Sequence, residues 1–321
     1  MKIGFIGLGN VGGKLSGSLL RNGVDLTVYD LDDQLIDKMA ALGAHRGQGP
    51  AQMMRDCDAV ITCLPSPAAS ASVMEDKGGL LETTGPGKIW MEMSTTDEAE
   101  VKRLGAKVAA LGGAAVDCPV SGGCHRADTG NISIFAGCDR ATFEQILPLL
   151  TTMGRRILHT GDLGSASVLK VLTNYLATAN LITCSEALVV AKAAGMDLNT
   201  AYEAIKISSG TSFVHETESQ VILNGSRDIS FTMDLVLKDI GLFQDVADRA
   251  GVPLEINPLM IEIFKDGIAR FGPRELSPNI IKRLEQATGL DIRAEGFPPE
   301  MTDDEVEETG YEIVPKGSNQ A

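Results

Sequence analysis

The chain has 321 residues, 44% hydrophobic and 22% charged, which is enough for one or two domains with a sizeable core. The net charge of −15 and the pI of about 4.7 oppose binding to nucleic acid and to anionic membrane surfaces. The longest relevant uncharged stretch, residues 171–185, is too short to cross a bilayer, so we expect neither a nucleic-acid nor a membrane partner.

A glycine-rich loop lies between two predicted strands at the start of the chain. An apolar run at residues 3–6 predicts a buried strand, which leads into Gly7-Leu8-Gly9-Asn10-Val11-Gly12 and then into a segment of helical periodicity. This order is the dinucleotide-binding fingerprint. Gly7 allows a tight turn, Gly9 lets the backbone approach a pyrophosphate, and Gly12 lets the helix pack on the strand.

Asp30 directly follows the second predicted strand, residues 26–29, at the position where a carboxylate can accept hydrogen bonds from the ribose hydroxyls. The same carboxylate would repel a 2′-phosphate, and Asp32 and Asp33 add to that repulsion. We therefore predict NAD as the cofactor and consider NADP less favoured.

Strands continue to alternate with helices as far as residue 163, which predicts an α/β fold with a doubly wound sheet of the Rossmann type. The further predicted strands are residues 58–63, 89–93, 114–118, 132–136 and 156–159. In such a sheet, ligands bind at the carboxyl ends of the strands. Here those ends carry the Gly7 loop, Asp30, Leu64-Pro65, Ser94-Thr95 and Ser121-Gly122-Gly123.

The pattern becomes entirely helical after Gly164. A long apolar helix is predicted over residues 165–195, and shorter helices separated by glycine and proline breakers follow it. We therefore predict three parts: a dinucleotide-binding domain (1–163), an all-α domain that begins with the long interdomain helix (164–296), and an acidic tail (297–321). The composition of the tail predicts a solvated, partly ordered segment, with an arm over a partner subunit as the alternative.

Two pairs of polar residues in the helical half are candidates for chemistry. Lys170 and Asn174 share one face of the long helix, and desolvation of an amine there favours its neutral form, so Lys170 is a candidate general acid or base. The alternative is a lysine that extends to solvent from the helix start. Lys238-Asp239 could reach a cofactor and orient a neighbour, or could form a surface ion pair.

Several other reactive residues suggest structural roles. The six cysteines contain no C-x-x-C pair, and the spacing of Cys118, Cys124 and His125 fits no zinc pattern, so we predict no metal. Cysteines within predicted strands and helices favour a reducing compartment, here the cytoplasm. Arg126 could supply positive charge for an anionic substrate or could be a surface arginine, and Arg155-Arg156 is predicted to lie on a solvated turn.

Four motifs in this order resemble the β-hydroxyacid dehydrogenases. They are the Gly7–Gly12 loop, Asp117-Cys-Pro-Val-Ser-Gly-Gly123, Lys170-x-x-x-Asn174 and Phe231-x6-Lys238-Asp239. The segment 121–137, with Ala127, Gly130 and Asn131, is most similar to the 3-hydroxyisobutyrate dehydrogenase branch. The resemblance covers about residues 1–290.

The resemblance implies an enzyme that reversibly oxidises the hydroxyl of a small 3-hydroxy acid to an aldehyde or ketone, and a homodimer or homotetramer. It implies that Lys170 is catalytic with Asn174 as its partner, and that Ser121, Gly122 and Gly123 hold the substrate carboxylate. It also places Thr95 near the nicotinamide ribose, Leu64 and Pro65 beside the adenosine, and Lys238 on the cofactor side of the cleft.

The sequence departs from the family pattern at three places. The first two affect packing, whereas the third lies close to the substrate and leaves its identity open. Val11 stands where the family usually has Met, Cys118 where it usually has Ala, and Cys124-His125-Arg126 is unusual after the double glycine. Two alternative functions are an imine reductase of the same architecture, which would lack the lysine at position 170, and a non-catalytic dinucleotide-binding interaction module. The latter is typically linked to basic segments, whereas this chain is acidic.

Overall fold

A computed structural model describes residues 1–317, and within them the elements follow the predicted order. The strands are β1 (Ile3–Ile6), β2 (Leu26–Tyr29), β3 (His45–Arg46), β4 (Ala59–Thr62), β5 (Ile89–Glu92), β6 (Ala114–Asp117), β7 (Val120–Ser121), β8 (Ser133–Gly137), β9 (Arg156–Gly161) and β10 (Tyr311–Glu312). The helices are α1 (Asn10–Arg21), α2 (Asp33–Ala41), α3 (Pro50–Asp56), α4 (Pro67–Glu75), α5 (Glu98–Ala110), α6 (Gly123–Asp128), α7 (Arg140–Met153), α8 (Ser165–Ala193), α9 (Leu198–Lys206), α10 (Phe213–Asn224), α11 (Met233–Arg249), α12 (Ile256–Phe271) and α13 (Lys282–Thr288), with short 3₁₀ segments at Leu80–Glu82 and Ser277–Ile281.

All of these strands belong to one sheet in the order β10-β9-β8-β6-β5-β4-β1-β2-β3, with β7 paired to β8. The strands from β3 to β6 run parallel, and β6 and β8 are antiparallel. The chain passes from β1 to β2 on one side and later to β4 on the other, so the strand order reverses at β1. A crevice therefore forms at the carboxyl ends of β1 and β4, which is where sheets of this type bind ligands.

The sheet carries an apolar layer on each face. Phe5 and Phe143 belong to one buried cluster, and Trp90 and Met53 belong to another. Neighbouring residues along β5 fall in different clusters, because side chains alternate between the faces of a strand. Helices cover both layers, and the predicted α/β class with a doubly wound Rossmann-type sheet is confirmed.

The chain divides into two compact units. The first contains Met1–Lys170 together with residues 303–317, and the second is Val171–Thr302. All ten strands listed above lie in the first unit, whereas the second is helical and has its own core around Phe264 and Ile240. The division lies inside α8, whereas the sequence predicted a boundary at residues 163 and 164.

Helix α8 begins where the sequence predicts it and ends at Ala193, and Gly195 follows in the left-handed conformation with φ +78°. By length and composition alone it could cross a membrane, with a mean hydropathy of 1.3 in its most apolar window. This differs from the prediction of no such segment. One helix of this kind is weak evidence for a membrane span, because the core helices of globular enzymes have the same length and composition.

The acidic tail is largely exposed, as predicted, but over residues 303–317 it is also docked on the sheet. Strand β10 pairs in parallel with β9, with Tyr311 opposite Arg156. The Arg156 guanidinium binds Glu305 at 2.8 Å, and the Arg155 guanidinium binds Glu308 and lies over the Tyr311 ring. The arginines expected on a solvated turn thus hold the segment against its own sheet.

Candidate active site

The glycine-rich loop has the geometry that a dinucleotide requires. Gly7 has φ +95°, and a Cβ atom on Gly12 would lie 2.0 Å from the Gly7 carbonyl oxygen, so any larger residue at position 12 would push α1 away from β1. Gly9 is the N-cap of α1, and a Cβ built on it would meet nothing within 4 Å. Open space over Gly9, at a helix N-terminus without a capping side chain, fits a pyrophosphate.

Asp30 connects the end of β2 to this loop. Its Oδ2 accepts a hydrogen bond from the Leu8 amide at 2.6 Å, and its Oδ1 accepts one from the Asp32 amide at 3.0 Å. Each carboxylate oxygen has a second lone pair, so Asp30 can order the loop and still accept a bond from a ribose hydroxyl. The sequence predicted only the second of these roles.

A buried carboxyl organises the neighbouring strand ends. Glu92, the last residue of β5, is 1% exposed, and its Oε1 accepts hydrogen bonds from both the amide (2.9 Å) and the hydroxyl of Ser94. The Ser94 hydroxyl in turn accepts a bond from the Leu64 amide at 2.7 Å. Glu92 thereby holds the loop after β4, with half-buried Leu64 and exposed Pro65, and the loop after β5, with half-buried Thr95.

Burial raises the pKa of the Glu92 carboxyl above its ordinary value, although hydrogen bonds from Ser94 act in the opposite direction. A carboxyl with a raised pKa in the folded state stabilises the fold fully below its unfolded pKa, and this contribution is lost as the pH rises through the folded pKa. Glutamine keeps the acceptor for Ser94 and cannot ionise. Glu92→Gln should therefore become increasingly stable relative to the wild type as the pH rises above about 4.5.

Urea unfolding of both proteins at several pH values from about 5 to 8 measures this difference. Glu203→Gln, at an exposed position on α9, is the matched control and should follow the wild-type curve. If the curves for Glu92→Gln and the wild type run parallel, Glu92 does not ionise in this pH range in the way proposed.

The loop predicted to bind the substrate lies between β7 and α6. Ser121 is half-buried in β7, opposite Ser133 of β8. Gly122 and Gly123 have φ values of +128° and +87°, which only glycine adopts without strain. These conformations turn the chain sharply from the strand into the helix. The backbone therefore requires glycine at both positions, whether or not a ligand binds there.

Asp117 connects this segment to the helix that carries Lys170. Asp117 is fully buried at the end of β6, four residues before Ser121. Its two oxygens accept hydrogen bonds from the Gly164 amide at 2.8 Å and the Ser167 amide at 2.7 Å. Gly164 directly precedes α8 and Ser167 lies in its first turn, so Asp117 caps the helix from a distant strand. Lys170, one turn further along α8, is 9% exposed.

The second unit contains a separate polar cluster. Asn174 on α8 donates from its side-chain amide to Asp239 Oδ2 at 2.5 Å, and Lys238 Nζ lies 2.7 Å from Asp239 Oδ1. Asp239 is 2% exposed and the Lys238 side chain 21%, so this is not a fully solvated surface pair. The carboxylate of Asp239 orients both side chains, which agrees with the sequence expectation that it positions a neighbour.

The cysteines, the histidine and the arginine that flank the double glycine are buried or half-buried. Burial raises the pKa of the Cys118 thiol well above its ordinary value, which opposes a role as a nucleophile. Burial and the nearby Arg126 lower the pKa of His125. Among residues 1–317, no group of three His, Cys, Asp or Glu side chains is arranged to hold a metal ion. Arg126 lies 3.8 Å from Asp303.

Sequence reasoning gave no role to two residues of the site, Glu92 and Asp117. Glu92 and Asp117 each lie one residue before the end of a predicted strand, at the edge where ligands bind, and a carboxyl at this position is a usable signal. Their roles could not be predicted, because they depend on where the folded chain places the Leu64 amide, which is held by the Ser94 bound to Glu92, and the start of α8. Asp239 was recognised as a candidate orienting group, but its bond to Asn174 joins residues 65 positions apart.

The fold and the glycine loop together define a class of two-part NAD(P)-dependent dehydrogenases, each with a Rossmann unit and a helical unit. Residues 2–161 match the family model for the NAD binding domain of 6-phosphogluconate dehydrogenase, and residues 164–284 match the model for NAD-binding of NADP-dependent 3-hydroxyisobutyrate dehydrogenase. The chain belongs to the 3-hydroxyisobutyrate dehydrogenase-like family of NAD(P)-dependent hydroxyacid dehydrogenases.

Relatives with curated functions cover nearly the full domain pair. A 2-(hydroxymethyl)glutarate dehydrogenase of Eubacterium barkeri is 34% identical over 91% of this chain and 97% of its own length. An NAD-dependent L-serine dehydrogenase of Pseudomonas aeruginosa is 31% identical over 89% of this chain and 98% of its own. The crystal structure of a 3-hydroxyisobutyrate dehydrogenase from Salmonella typhimurium has a TM-score of 0.81 and 26% identity, and covers 88% of this chain and 99% of its own.

Proposed function

We propose that the protein is an NAD-dependent 3-hydroxy acid dehydrogenase that interconverts a small 3-hydroxy acid and its semialdehyde or ketone. The observation that carries this proposal is the position of Asp117. Its buried carboxylate joins the strand that leads to Ser121 to the first turn of the helix that carries Lys170. Asp117 thereby holds both the proposed carboxylate-binding loop and the helix turn that carries the Lys170 amine. Acid–base catalysis on a bound hydroxy acid requires fixed positions of the binding group and the catalytic group.

In the proposed reaction, the amides and the hydroxyl of Ser121-Gly122-Gly123 bind the substrate carboxylate. NAD held at the Gly7–Gly12 loop would supply the acceptor for the hydride of the carbinol carbon. Neutral Lys170 Nζ accepts the hydroxyl proton as the C=O bond forms, and in the reduction protonated Lys170 returns it. Asn174, oriented by Asp239, is proposed to bind the substrate oxygen. Lys238, bound to the same carboxylate, is proposed to contact the cofactor.

The preference for NAD over NADP rests on the charges at the end of β2. Arg46 on the adjacent strand β3 could in principle accommodate a 2′-phosphate, but its guanidinium binds Asp37 and lies 3.4 Å from Asp33. Together with Asp30 and Asp32, these carboxylates leave the region acidic. A 2′-phosphate would be repelled there, whereas ribose hydroxyls have carboxylate acceptors.

A panel of 3-hydroxy acids and semialdehydes assayed with NAD and NADP tests the proposed function. We expect substrate-dependent NADH formation with at least one small 3-hydroxy acid, and at least about tenfold lower kcat/KM for NADP, corresponding to roughly 1.4 kcal/mol. A cyclic imine in the same panel tests the imine reductase alternative. Reduction of the imine without turnover of any hydroxy acid would replace the proposal, and equal rates with both cofactors would remove the NAD assignment.

A homodimer or homotetramer and a cytoplasmic location are part of the same proposal. Leu172, Leu176 and Val190 of α8 are 36%, 58% and 66% exposed on the single chain. A second subunit packed on this helix would bury them.

A further inference from the structure

Five acidic residues of the C-terminal segment each lie close to an arginine from an earlier part of the first unit. The pairs are Asp303 with Arg126 at 3.8 Å, Glu305 with Arg156 at 2.8 Å, Glu307 with Arg21 at 3.3 Å, Glu308 with Arg155, and Glu312 with Arg140 at 2.6 Å. Backbone bonds accompany them: the Gly310 amide donates to the Thr151 carbonyl at 2.9 Å, and the Ile313 amide donates to the Ile157 carbonyl at 2.7 Å. This segment is therefore docked by specific contacts.

The start of the docked segment reaches the helix that follows the substrate loop. The Asp303 side chain is 4% exposed, and its Oδ2 accepts hydrogen bonds from the Asn131 side-chain amide at 2.7 Å and from the Thr129 hydroxyl. Asn131 is fully buried and also donates to the Glu305 carbonyl at 2.6 Å. The turn that ends α6 thus obtains buried hydrogen-bond partners from residues about 170 positions later in the chain.

Arg126 links Asp303 to the substrate loop. A Cβ atom built on Gly122 would lie 3.2 Å from Arg126 Cδ, so the stem of this arginine lies directly against the loop. Its guanidinium faces Asp303, which neutralises the positive charge. Without Asp303, the cation beside Gly122 would lose this partner, and the end of α6 would lose two hydrogen bonds.

We propose that Asp303 is a positioning and specificity residue for the substrate loop, which it holds through Arg126, Thr129 and Asn131 while cancelling the charge of Arg126. The inference rests on the proposed function, because it assigns Gly122 to the substrate. A loop held in this way is preorganised for a substrate with a single carboxylate. A substrate with a second anionic group gains nothing from Arg126 while Asp303 neutralises it.

Two substitutions separate the hydrogen bonds from the charge. Asp303→Ala removes both, and should raise KM for a monocarboxylate hydroxy acid about tenfold while kcat and KM for NAD stay within about twofold. Asp303→Asn keeps an acceptor for Asn131 and should retain most of the monocarboxylate affinity. In both variants, the ratio of kcat/KM for a dicarboxylate hydroxy acid to that for the monocarboxylate should rise several-fold, and this rise should shrink at high salt.

Asp304→Ala is the matched control, because Asp304 is an exposed neighbour with the same charge. It should leave KM and the selectivity ratio unchanged. An Arg126→Ala background supplies the second control, since the effect of Asp303→Ala on selectivity should be largely lost there. Unchanged KM and ratio in Asp303→Ala, an equal effect of Asp304→Ala, or a parallel loss of kcat and NAD binding would each overturn the inference.

Hydrogen exchange of residues 122–131 in the full-length protein gives a readout that does not need turnover. Faster exchange in Asp303→Ala than in Asp304→Ala supports the positioning role, and equal exchange overturns it. A wild-type protein without activity on any hydroxy acid would instead defeat the proposed function, so the two failures are distinguishable.

Discussion

Replacing Lys170 with methionine should lower kcat by about 10² to 10⁴-fold, the range that a positioned general acid or base contributes. Methionine has a side chain of similar length and no proton to exchange, so packing in α8 is largely retained while the chemistry is removed. Because the proposed site of dinucleotide binding is the Gly7–Gly12 loop, the Kd for NAD should change by less than about threefold. Steady-state kinetics and titration of NAD against intrinsic fluorescence measure the two quantities.

Lys192→Met is the matched control, since Lys192 lies on the same helix at an exposed position. It should keep kcat close to that of the wild type. The pH profile adds a test that a merely structural effect would not pass: the ionisation that limits kcat/KM in the wild type should disappear in Lys170→Met. Turnover within tenfold of the wild type, with the same pH profile, would reject Lys170 as the acid–base group.

The first half of the fold could be predicted because its signals are local. The glycines, the two flanking strands and Asp30 lie within 30 residues, and each performs a backbone task that few other residues can perform. The end of α8 could also be predicted, because Gly195 adopts the left-handed conformation that ends a helix. Such features depend on neighbours in the sequence, so the sequence alone contains them.

Strands β3, β7 and β10 were missed for two reasons. Each is two residues long, too short for an alternating pattern to stand out. For β10, the surrounding acidic residues also predicted solvation. The arginines that neutralise those acids lie between residues 21 and 156, so charge complementarity became visible only when the chain was folded.

The candidate site divides in the same way. Residues of the glycine loop and of the Ser121 loop were located from their motifs, because motif residues are contiguous. Glu92 lies in no motif, and Asp117 had no role assigned within its motif. Each is nevertheless a buried carboxyl: Glu92 accepts hydrogen bonds from Ser94 in the following loop, and Asp117 accepts one from the Gly164 amide. A buried charge is costly unless its hydrogen bonds are satisfied, and that condition indicates positioning roles only after the partners are known.

The cap on α8 gives a second large expected effect. Asp117→Ala leaves the amides of Gly164 and Ser167 without their acceptor in a buried site, at about 1–3 kcal/mol for each amide. We therefore expect the free energy of unfolding to fall by about 2–6 kcal/mol, measured by urea denaturation at neutral pH. Because Lys170 lies one turn further along α8, kcat should also fall, by at least about tenfold, as the first turn of the helix loses its fixed position.

Asp139→Ala is the control that separates the effect of losing a helix cap from the effect of losing a buried hydrogen-bond acceptor. Asp139 caps α7 by accepting a hydrogen bond from the Thr142 amide at 3.0 Å, but it is exposed, so water can replace it. Its loss should cost about 0.5–2 kcal/mol and leave kcat unchanged. Asp117→Asn, which retains one acceptor oxygen, should fall between the two in stability. Equal losses for Asp117→Ala and Asp139→Ala would show that the β6–α8 connection is an ordinary helix cap with no special role in placing Lys170.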